Sequence, residues 1–370
     1  PALDRLAAEG TRFTDFHMAS PVCSPSRAAM MTGCQPKRIG LGGSIQNAWV
    51  LFPGMPWGLN PDEITIARQL KQQGYATQII GKWHLGDQPD FLPTNHGFDH
   101  YFGLPYSNDM GRQVGREGGV PLPLLRDDDV IQQQPDQMSL TERYVEECVK
   151  FMRDSRDEPF FLYLAHMHVH LPLYAAQRFL DQSDNGRYGA CVEAIDWAMS
   201  VIMHEVKQLG LDDNTMIVFT SDNGSRARDE GGSNAPLRGT KGTVWEGGHR
   251  VPMIARWPGQ VPAGRVCDEL CSAMDFMPTF TRLAGTNEPG DRIIDGQDIR
   301  PLLLGEAGAT TPHEVFFHYH QDRLACVRSG KWKLHVIARE LYDLEADLAE
   351  ANNVIDDHPD VVEKLEACAA

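Results

Sequence analysis

The sequence predicts an α/β fold in which helices flank a large, mostly parallel central sheet and a small antiparallel subdomain follows. Two observations predict it. Amphipathic helical segments alternate with apolar, strand-like runs over much of the chain, which is typical of parallel sheets. Short β-like runs, among them VFFHYH, LACVRSG and KWKLHV, then crowd the C-terminal region. We therefore predict a large domain over residues 1–305 and a small one over residues 306–370.

Three helix-then-strand units follow one another in the large domain. An acidic first turn opens the helical pattern of DEITIARQLKQQ, and Gly74 ends it, whereas Thr141 caps LTERYVEECVKFMRD. Gly210 ends the third and longest helix. The predicted helices span residues 62–73, 140–154 and 188–209, and the strands that follow them span residues 75–80, 159–165 and 215–220.

Polar side chains follow each of these strands at its carboxyl end. Ligands of open parallel sheets bind beyond such ends, so we expect the three polar clusters to converge on one site. The three histidines of the second cluster occupy alternate positions, a pattern that could also indicate a zinc site. Pro172 follows at once, however, and disfavours the straight strand that such a site would need. The clusters are Lys82 and His84 in GKWHLG, His166, His168 and His170 in HMHVHLP, and Asp222 and Asn223 in SDNG.

One stretch of the large domain, residues 108–137, is rich in Gly, Pro, Gln and Asp and has little periodicity. This composition predicts a long surface excursion that lines or covers the site. Together with the VFFHYH run, the excursion is where we expect selectivity among substrates to arise.

The bulk composition excludes two classes of partner. The chain has 34 Lys and Arg against 51 Asp and Glu, a formal net charge of -17, which repels nucleic acid at long range. No apolar run approaches the ~18 residues that a membrane helix needs. Eight cysteines without a CxxC pair are too few for a disulfide scaffold in a chain of 370 residues. The sequence therefore predicts neither nucleic acid nor membrane as a partner.

The stretch CSPSRAAMMTG places a cysteine at the mouth of a predicted short helix. Ser24 suits the cap position, Pro25 the first helical position, and Gly33 the position after the last turn. Cys23 would then lie where free amide groups and the helix dipole favour negative charge. Arg27 adds a planar cation within one turn. This arrangement indicates a site for a tetrahedral oxyanion such as sulfate or phosphate.

CSPSRAAMMTG resembles the C-x-P-S-R motif, with its small apolar helix and T-G, of the formylglycine-dependent type I sulfatases of the alkaline-phosphatase superfamily. Further stretches match that family in its order along nearly the whole chain: GKWHLG, HGFDHYFGLPYSND, HLP, SDNG, LRGTKGTVWEGGHRVP and ELYDLEAD. HLPLYAA and ELYDLEAD resemble stretches of arylsulfatases and N-acetylgalactosamine-6-sulfatases. The resemblance implies an alkaline-phosphatase-like fold and a sulfuric ester hydrolase.

The resemblance also implies a modified nucleophile and a metal ion. A formylglycine-generating enzyme would oxidise Cys23 to formylglycine, and the hydrated aldehyde would attack sulfur and form a covalent sulfo-enzyme intermediate with the help of Ca²⁺. Cys23, Asp222 and Asn223 match ligands of that ion. The substrate would be a small aryl sulfate or a sulfated glycan.

Five side chains match positions that handle the sulfate and the leaving group in that family. Lys82 and Lys241 match two lysines that contact sulfate, and His84 matches the histidine that we expect to act as the base in sulfate release. His170, with Lys241, matches the pair that faces the leaving-group oxygen. Ser107 matches a polar residue that contacts a substrate oxygen. With Cys23 and Arg27, these residues are the predicted catalytic and substrate-binding set.

The chain departs from the family pattern at its start. The family's metal site takes two adjacent aspartates from a first strand that precedes a segment resembling PALDRLAAEGTRFTDF, and the chain begins at that segment. We therefore expect the 370 residues to belong to a longer protein, and the isolated fragment, without those aspartates, to be inactive. By resemblance we also expect a periplasmic, extracellular or lysosomal-type compartment.

Two other functions fit part of the pattern. A phosphonate monoester or phosphodiester hydrolase shares the C-x-P-S-R nucleophile, and parallel assays with aryl sulfates and aryl phosphodiesters separate the two activities. A non-catalytic protein that binds sulfated glycans would explain the absent aspartates. The joint presence of Cys23 and its modification motif argues against such a protein, because a binding protein does not need a nucleophile.

Overall fold

A computed structural model of the chain describes residues 1–43, 48–113, 115 and 118–369, and it has the predicted α/β class. Each predicted helix-then-strand unit is present, with ends that differ from the predicted ones by a few residues. A small antiparallel sheet near the C-terminus is present as well. The predicted fold class is therefore confirmed.

Helices and strands alternate along the described chain. The helices are α1 (Ala2–Ala8), α2 (Cys23–Thr32), α3 (Ile66–Gln72), α4 (Leu140–Asp154), α5 (Gln177–Gln182), α6 (Gly186–Gln208), α7 (Glu246–His249), α8 (Phe276–Leu283), α9 (Arg300–Leu303) and α10 (Pro359–Ala369). The strands are β1 (Thr11–His17), β2 (Ala76–Lys82), β3 (His100–Leu104), β4 (Pro123–Arg126), β5 (Asp129–Gln133), β6 (Phe160–Ala165), β7 (Ile217–Thr220), β8 (Arg250–Arg256), β9 (Arg265–Cys267), β10 (Cys271–Ser272), β11 (Phe316–His320), β12 (Arg323–Ser329), β13 (Trp332–His335) and β14 (Glu340–Asp343).

Two five-stranded mixed sheets stand where one large, mostly parallel sheet was predicted. One has the strand order β5-β4-β3-β2-β6, and the other has the order β10-β1-β8-β7, with β9 also paired to β1. The neighbours of β2 run parallel to it, whereas β4 is antiparallel to both its neighbours and β8 to both of its own. Part of the reason is connection length, because the two residues between β4 and β5 can join only antiparallel strands.

One predicted helix start and one predicted cap are wrong. Helix α3 begins at Ile66 rather than at Asp62, because the Thr65 side chain accepts a hydrogen bond from the Arg68 amide at 3.1 Å and caps the helix there. Thr141 lies inside α4 instead of capping it, and its hydroxyl is 2.9 Å from Nε2 of His168. Ser139, the residue before α4, makes no side-chain cap hydrogen bond either.

The predicted surface excursion over residues 108–137 is partly regular structure. Strands β4 and β5 form a hairpin that extends the β2 sheet, and Leu122 and Leu124 are fully buried in the core beneath it. Residues 114, 116 and 117 of the excursion lie outside the described residues. The hairpin escaped prediction because all of β5 is exposed and its sequence lacks apolar alternation.

Helix α2 is buried along its whole length. Its apolar residues belong to the main core, which they share with Phe16 of β1 and Met277 of α8. Gly33 ends the helix with φ 72, and a Cβ there would lie 2.7 Å from Cβ of Met277. The core therefore fixes both the axis of α2 and its end, and with them the position of its first residue, Cys23.

The C-terminal sheet has the antiparallel order β11-β12-β13-β14 and packs against α10. Its apolar core contains Val327, Leu334 and Leu341 from the sheet and Val362 and Leu365 from the helix. The predicted boundary between residues 305 and 306 stays a prediction. Among the described helices, none is both long and apolar enough to cross a membrane.

Replacing Gly33 by alanine is expected to destabilise the fold more than the same change at Gly74. Both glycines have positive φ, for which an alanine costs about 1–2 kcal/mol. A Cβ at Gly74 meets nothing within 4 Å, whereas one at Gly33 overlaps Met277, which adds about 1–3 kcal/mol. Urea unfolding of the two variants gives the difference. Equal midpoints for Gly33→Ala and Gly74→Ala would contradict the packing described for the end of α2.

Candidate active site

Cys23 is the first residue of α2, and Val22 in extended conformation precedes the helix. The prediction of Ser24 as the cap is wrong: Ser24 lies within the helix, and its Oγ accepts a hydrogen bond from the Leu51 amide at 3.1 Å. Pro25 is the third helical residue, where the absent amide hydrogen costs nothing because the first-turn amides have no partner within the helix. Cys23 is therefore part of the helix mouth itself.

Two lysines and an amide surround the Cys23 thiol. Nζ of Lys241 lies 3.3 Å from Sγ, and Oδ1 of Asn223 lies 3.6 Å from it. Burial raises the pKa of this thiol, but the charges of Lys82 and Lys241, together with the neighbouring imidazoles of His170 and His84, lower it well below its usual value. The site therefore stabilises negative charge at the position of Cys23.

A chain of polar contacts joins Lys82 to His170. Nζ of Lys82 donates to Oγ of Ser107 at 3.1 Å, and that oxygen lies 3.5 Å from Nδ1 of His170. Nδ1 of His170 lies 2.6 Å from the Leu171 carbonyl, to which it donates. This bond leaves Nε2 of His170 as the nitrogen that can exchange a proton with a ligand.

His84 is held as a neutral base. Its Nε2 donates to the Leu51 carbonyl at 2.9 Å, while its buried Nδ1 has no hydrogen-bond partner among the described residues. Burial, with the nearby charge of Lys82, lowers the pKa of His84 to about 4. Nδ1 is thus a free acceptor at neutral pH beside Cys23.

Arg27 braces two strand ends. Its guanidinium donates to the Asp222 carboxylate at 2.8 and 2.9 Å, and to the carbonyl of Lys82, the last residue of β2, at 2.8 Å. Asp222 follows β7, so Arg27 joins the ends of strands from two different sheets to α2. In this arrangement the guanidinium is occupied by protein partners instead of presenting a free fork to an oxyanion.

The residues present do not complete a calcium site. Ca²⁺ takes six to eight oxygen ligands, and here Asp222 offers one carboxylate, already paired with Arg27, and Asn223 one amide oxygen. A cluster of three possible metal ligands does occur among the described residues, but it lies elsewhere, at His17, Glu246 and His318. The ligand atoms of these three side chains lie within 4.8 Å of one another.

The other two histidines of HMHVHLP do not join the site. The rings of His166 and His168 stack at 4.8 Å, and His168 bonds to Thr141 of α4. His170 alone faces Ser107. The three histidines therefore do not meet at one point, and the described residues do not form the zinc site that their alternate spacing could indicate.

The rim of the site has an exposed aromatic side chain. Trp49 is 44% exposed and packs its ring edge-to-face against His320 at the end of β11, 5.1 Å between centroids. A Cβ on Gly242, the neighbour of Lys241, would lie 3.1 Å from the Trp49 ring. The VFFHYH run therefore contacts Trp49 through His320, and its role in substrate selectivity stays a prediction.

Several contacts of the site have no signal in the sequence. The backbone of Leu51 bonds both Ser24 and His84, and the Tyr163 hydroxyl lies 3.4 Å from the Arg27 guanidinium. The side chains of Lys333 and Glu350, far along the chain, contact the segment that carries Lys241. No local motif marks these residues, because only the folded chain brings them near.

Comparisons with known proteins agree with this geometry. The family model described as Sulfatase matches residues 1–286, and the one described as N-sulphoglucosamine sulphohydrolase, C-terminal, matches residues 240–367. Arylsulfatase A of Bos taurus is 41% identical over 359 residues, covering 90% of this chain and 69% of that protein. N-acetylgalactosamine-6-sulfatase of Canis lupus familiaris is 40% identical, covering 90% of this chain and 66% of that protein.

Solved structures share the whole fold. The crystal structure of Ps i-CgsB in complex with k-i-k-neocarrahexaose superposes with a TM-score of 0.85 at 30% identity, covering 99% of this chain and 85% of that one. The phosphonate monoester hydrolase SpPMH from Silicibacter pomeroyi shares the fold, with a TM-score of 0.71 at 18% identity over 100% of this chain and 88% of its own.

The class of this protein is defined by an α/β fold and by a cysteine at the mouth of a helix, with lysine and histidine side chains around it. The comparisons identify that class. The chain belongs to the sulfatase family. It spans about two thirds of the length of the curated relatives that it matches.

Lys241→Met is expected to raise the pKa of the unmodified Cys23 thiol, because it removes a cation beside the thiolate. The lowered pKa means that thiolate persists at pH values where an ordinary thiol is protonated. The pH dependence of iodoacetamide alkylation, followed on the Cys23 peptide by mass spectrometry, measures the shift.

Two internal comparisons accompany this measurement. Burial raises the pKa of Cys34 to about 11 and of Cys191 to about 12, so both are expected to stay unalkylated at neutral pH. Lys331→Met, in the turn between β12 and β13, is the matched control and should leave the Cys23 profile unchanged. An identical profile for Lys241→Met and the unchanged protein would contradict the described contact.

Proposed function

We propose that the whole protein is a sulfuric ester hydrolase that cleaves aryl or carbohydrate sulfate esters at the Cys23 site. One observation carries the proposal: Cys23 at the mouth of α2 is surrounded by Lys241, Lys82, His84 and His170, a set of cations and imidazoles around one nucleophilic position. Family membership supports the same conclusion. A sulfate ester brings three negatively polarised oxygens, which two lysines and a helix mouth are suited to hold.

Conversion of Cys23 to formylglycine by a formylglycine-generating enzyme is part of the proposal. The residues fit an oxygen-bearing group at this position, because Nδ1 of His84 is a buried acceptor without a donor and Lys241 is a donor at 3.3 Å. When hydrated, such a group supplies a hydroxyl nucleophile for attack on sulfur. The described residues leave the ligand set of Ca²⁺ incomplete.

The side chains divide the remaining work. Lys82 and Lys241 bind sulfate oxygens on either side of position 23, and Ser107 orients Lys82 through its 3.1 Å bond. His84, neutral at its lowered pKa, accepts a proton from the group at position 23 through Nδ1. His170, when protonated at both ring nitrogens, donates the proton on Nε2 to the departing alcohol.

The rim favours a ring-shaped alcohol half. Trp49 offers an exposed aromatic face near Lys241, and such faces pack against aryl groups and against the apolar faces of sugars. The oligosaccharide complex of the Ps i-CgsB structure is consistent with a sulfated glycan as one candidate substrate class. A periplasmic, extracellular or lysosomal-type compartment also stays a prediction.

The first test uses the whole protein, produced with and without a formylglycine-generating enzyme. We expect the Cys23 peptide to lose roughly 18 Da, the thiol-to-aldehyde difference, only in the presence of that enzyme. The same preparation should hydrolyse p-nitrophenyl sulfate, and Cys23→Ala should abolish hydrolysis.

Two outcomes would overturn the sulfatase proposal. Faster cleavage of an aryl phosphodiester or phosphonate monoester than of the sulfate would assign the phosphorus ester activity instead. Binding of sulfated oligosaccharide without cleavage of either ester, by protein with converted Cys23, would assign a binding function.

His170→Asn is expected to separate substrates by their leaving groups. A proton donor contributes about 10²–10⁴-fold when the alcohol leaves poorly and little when it leaves as a stable phenolate. The variant should therefore lose at least 100-fold in kcat on a carbohydrate sulfate and much less on p-nitrophenyl sulfate. Equal losses on both substrates would remove His170 from the role of proton donor.

A further inference from the structure

The segment that carries Lys241 is attached to the C-terminal sheet. We define this Lys241 segment as residues 238–249, which include α7. It follows β7 and precedes β8 in the chain, yet much of its side-chain bonding comes from β13 and from the loop after β14, about a hundred residues later. Contacts of this kind let the C-terminal unit determine where the segment lies.

Lys333 of β13 makes the first attachment. Its ammonium is fully buried and donates to the Val244 carbonyl at 3.0 Å and to the Glu246 carboxylate at 2.9 Å. The carboxylate of Glu350 lies 2.9 Å from the same nitrogen. One lysine thus ties backbone and side chain of the Lys241 segment to the C-terminal unit.

Glu350, in the loop after β14, makes the second attachment. Its carboxylate accepts hydrogen bonds from the Glu246 amide at 2.8 Å and, at 3.0 Å, from His335. Its backbone carbonyl accepts from the Arg238 guanidinium at 2.7 Å. Glu350 is fully buried, so no water replaces these bonds. Both ends of the segment's turn, at Arg238 and at Glu246, are therefore fixed by the same residue.

Aromatic packing covers these bonds. The Trp245 ring packs against the His335 ring with 4.2 Å between centroids and 35° between ring planes, and the Arg238 guanidinium lies 3.6 Å from the centre of the Trp245 ring. The packing excludes solvent from Lys333 and Glu350, which strengthens their interaction.

Lys241 lies in a turn whose middle is held by backbone bonds, among them one from the Gly242 amide to the Pro21 carbonyl at 3.0 Å. It lies between Gly239 at φ 83 and Gly242 at φ 87, and its own amide donates to the Ser225 carbonyl at 2.9 Å. Its ammonium contacts Cys23 and is not seen paired with a carboxylate in the described part of the chain. A turn with two flexible glycines holds a lysine in one place only if its flanks are anchored.

We propose that Lys333 and Glu350 are positioning residues that hold Lys241 against the Cys23 position. They touch neither Cys23 nor a ligand of it, and they act through the backbone of the Lys241 segment. The catalytic part of the inference rests on the proposed function, whereas the positional part does not. The C-terminal unit is thereby a component of the active site.

The charges favour this role over a metal site at the same place. Glu246 belongs to the described His17, Glu246 and His318 cluster, but its carboxylate already pairs with Lys333, and Arg328 lies 3.0 Å from Nε2 of His17. A dication would face both cations at short range. The cluster is balanced by protein charges, and its function is to hold the segment.

The test is a double-mutant cycle measured on kcat/KM. Lys333→Met is expected to lower kcat/KM for p-nitrophenyl sulfate at least tenfold in the unchanged protein. In a Lys241→Ala background, where the lysine to be positioned is absent, the same change should cost less than twofold. A structural role without positioning would lower both backgrounds by the same factor, and that result overturns the proposal.

Three variants separate positioning from unfolding. Lys333→Arg retains the buried cation and should restore most of the rate. Glu350→Gln removes the negative charge that faces Lys333 and one of the two acceptor oxygens, so it should behave like Lys333→Met. Folding stability is measured for each variant. Lys331→Met is the matched control, since Lys331 pairs with Asp343 in the same sheet and does not contact the segment. Loss of rate in Lys331→Met equal to that in Lys333→Met would overturn the proposal.

A second measurement is independent of hydrolysis. In protein with unmodified Cys23, Lys333→Met should slow iodoacetamide alkylation of the Cys23 peptide at pH 7 to the rate of Lys241→Ala, because the cation moves away. Unchanged alkylation in Lys333→Met, beside slow alkylation in Lys241→Ala, overturns the positioning role. If neither sulfate nor phosphorus esters are cleaved but alkylation slows as expected, the proposed function fails and the positioning stands.

Discussion

The structure depends on holding two lysine ammonium groups beside one cysteine without neutralising them. Lys82 is almost fully buried, and its ammonium bonds Ser107, while that of Lys241 contacts Cys23. Buried cations are normally paired, because burial without a partner opposes the charged form. Here burial lowers the pKa of Lys82, and Cys23 provides the opposing attraction. An anion bound between the two ammonium groups would supply the negative charge that burial of these cations calls for.

Rigid supports from three directions make this possible. Lys82 is the last residue of β2, a strand hydrogen-bonded on both sides, by β3 and by β6. Cys23 begins a helix that is buried throughout. Arg27 then joins the carbonyl of Lys82 to Asp222 after β7, so that two sheets and one helix share a single guanidinium. A displacement of any of these elements would be transmitted to the charges at Cys23.

Lys241 is held beside Cys23 in a different way from Lys82. It lies in a glycine-containing turn, and the turn is fixed from outside by the buried charges of Lys333 and Glu350. The small antiparallel sheet thus holds a part of the chain between β7 and β8 that has no strand or long helix of its own. Burying a cluster of charges costs desolvation free energy. The cluster lies between the C-terminal sheet and the Lys241 segment because it positions the segment more than it stabilises the fold.

The sequence by itself determined the α/β class and the family, because these depend on local periodicity and on short motifs. For the same reason it predicted that Cys23, Lys82, His84 and Lys241 belong to one site. Tertiary structure decided the helix caps, the mixed direction of the sheets and the hairpin of β4 and β5, since each depends on which of several similar local choices packs best. It also decided that Arg27 pairs with Asp222. The attachment of the Lys241 segment could come only from the fold, because Lys333 and Glu350 meet it across about a hundred residues and carry no local pattern.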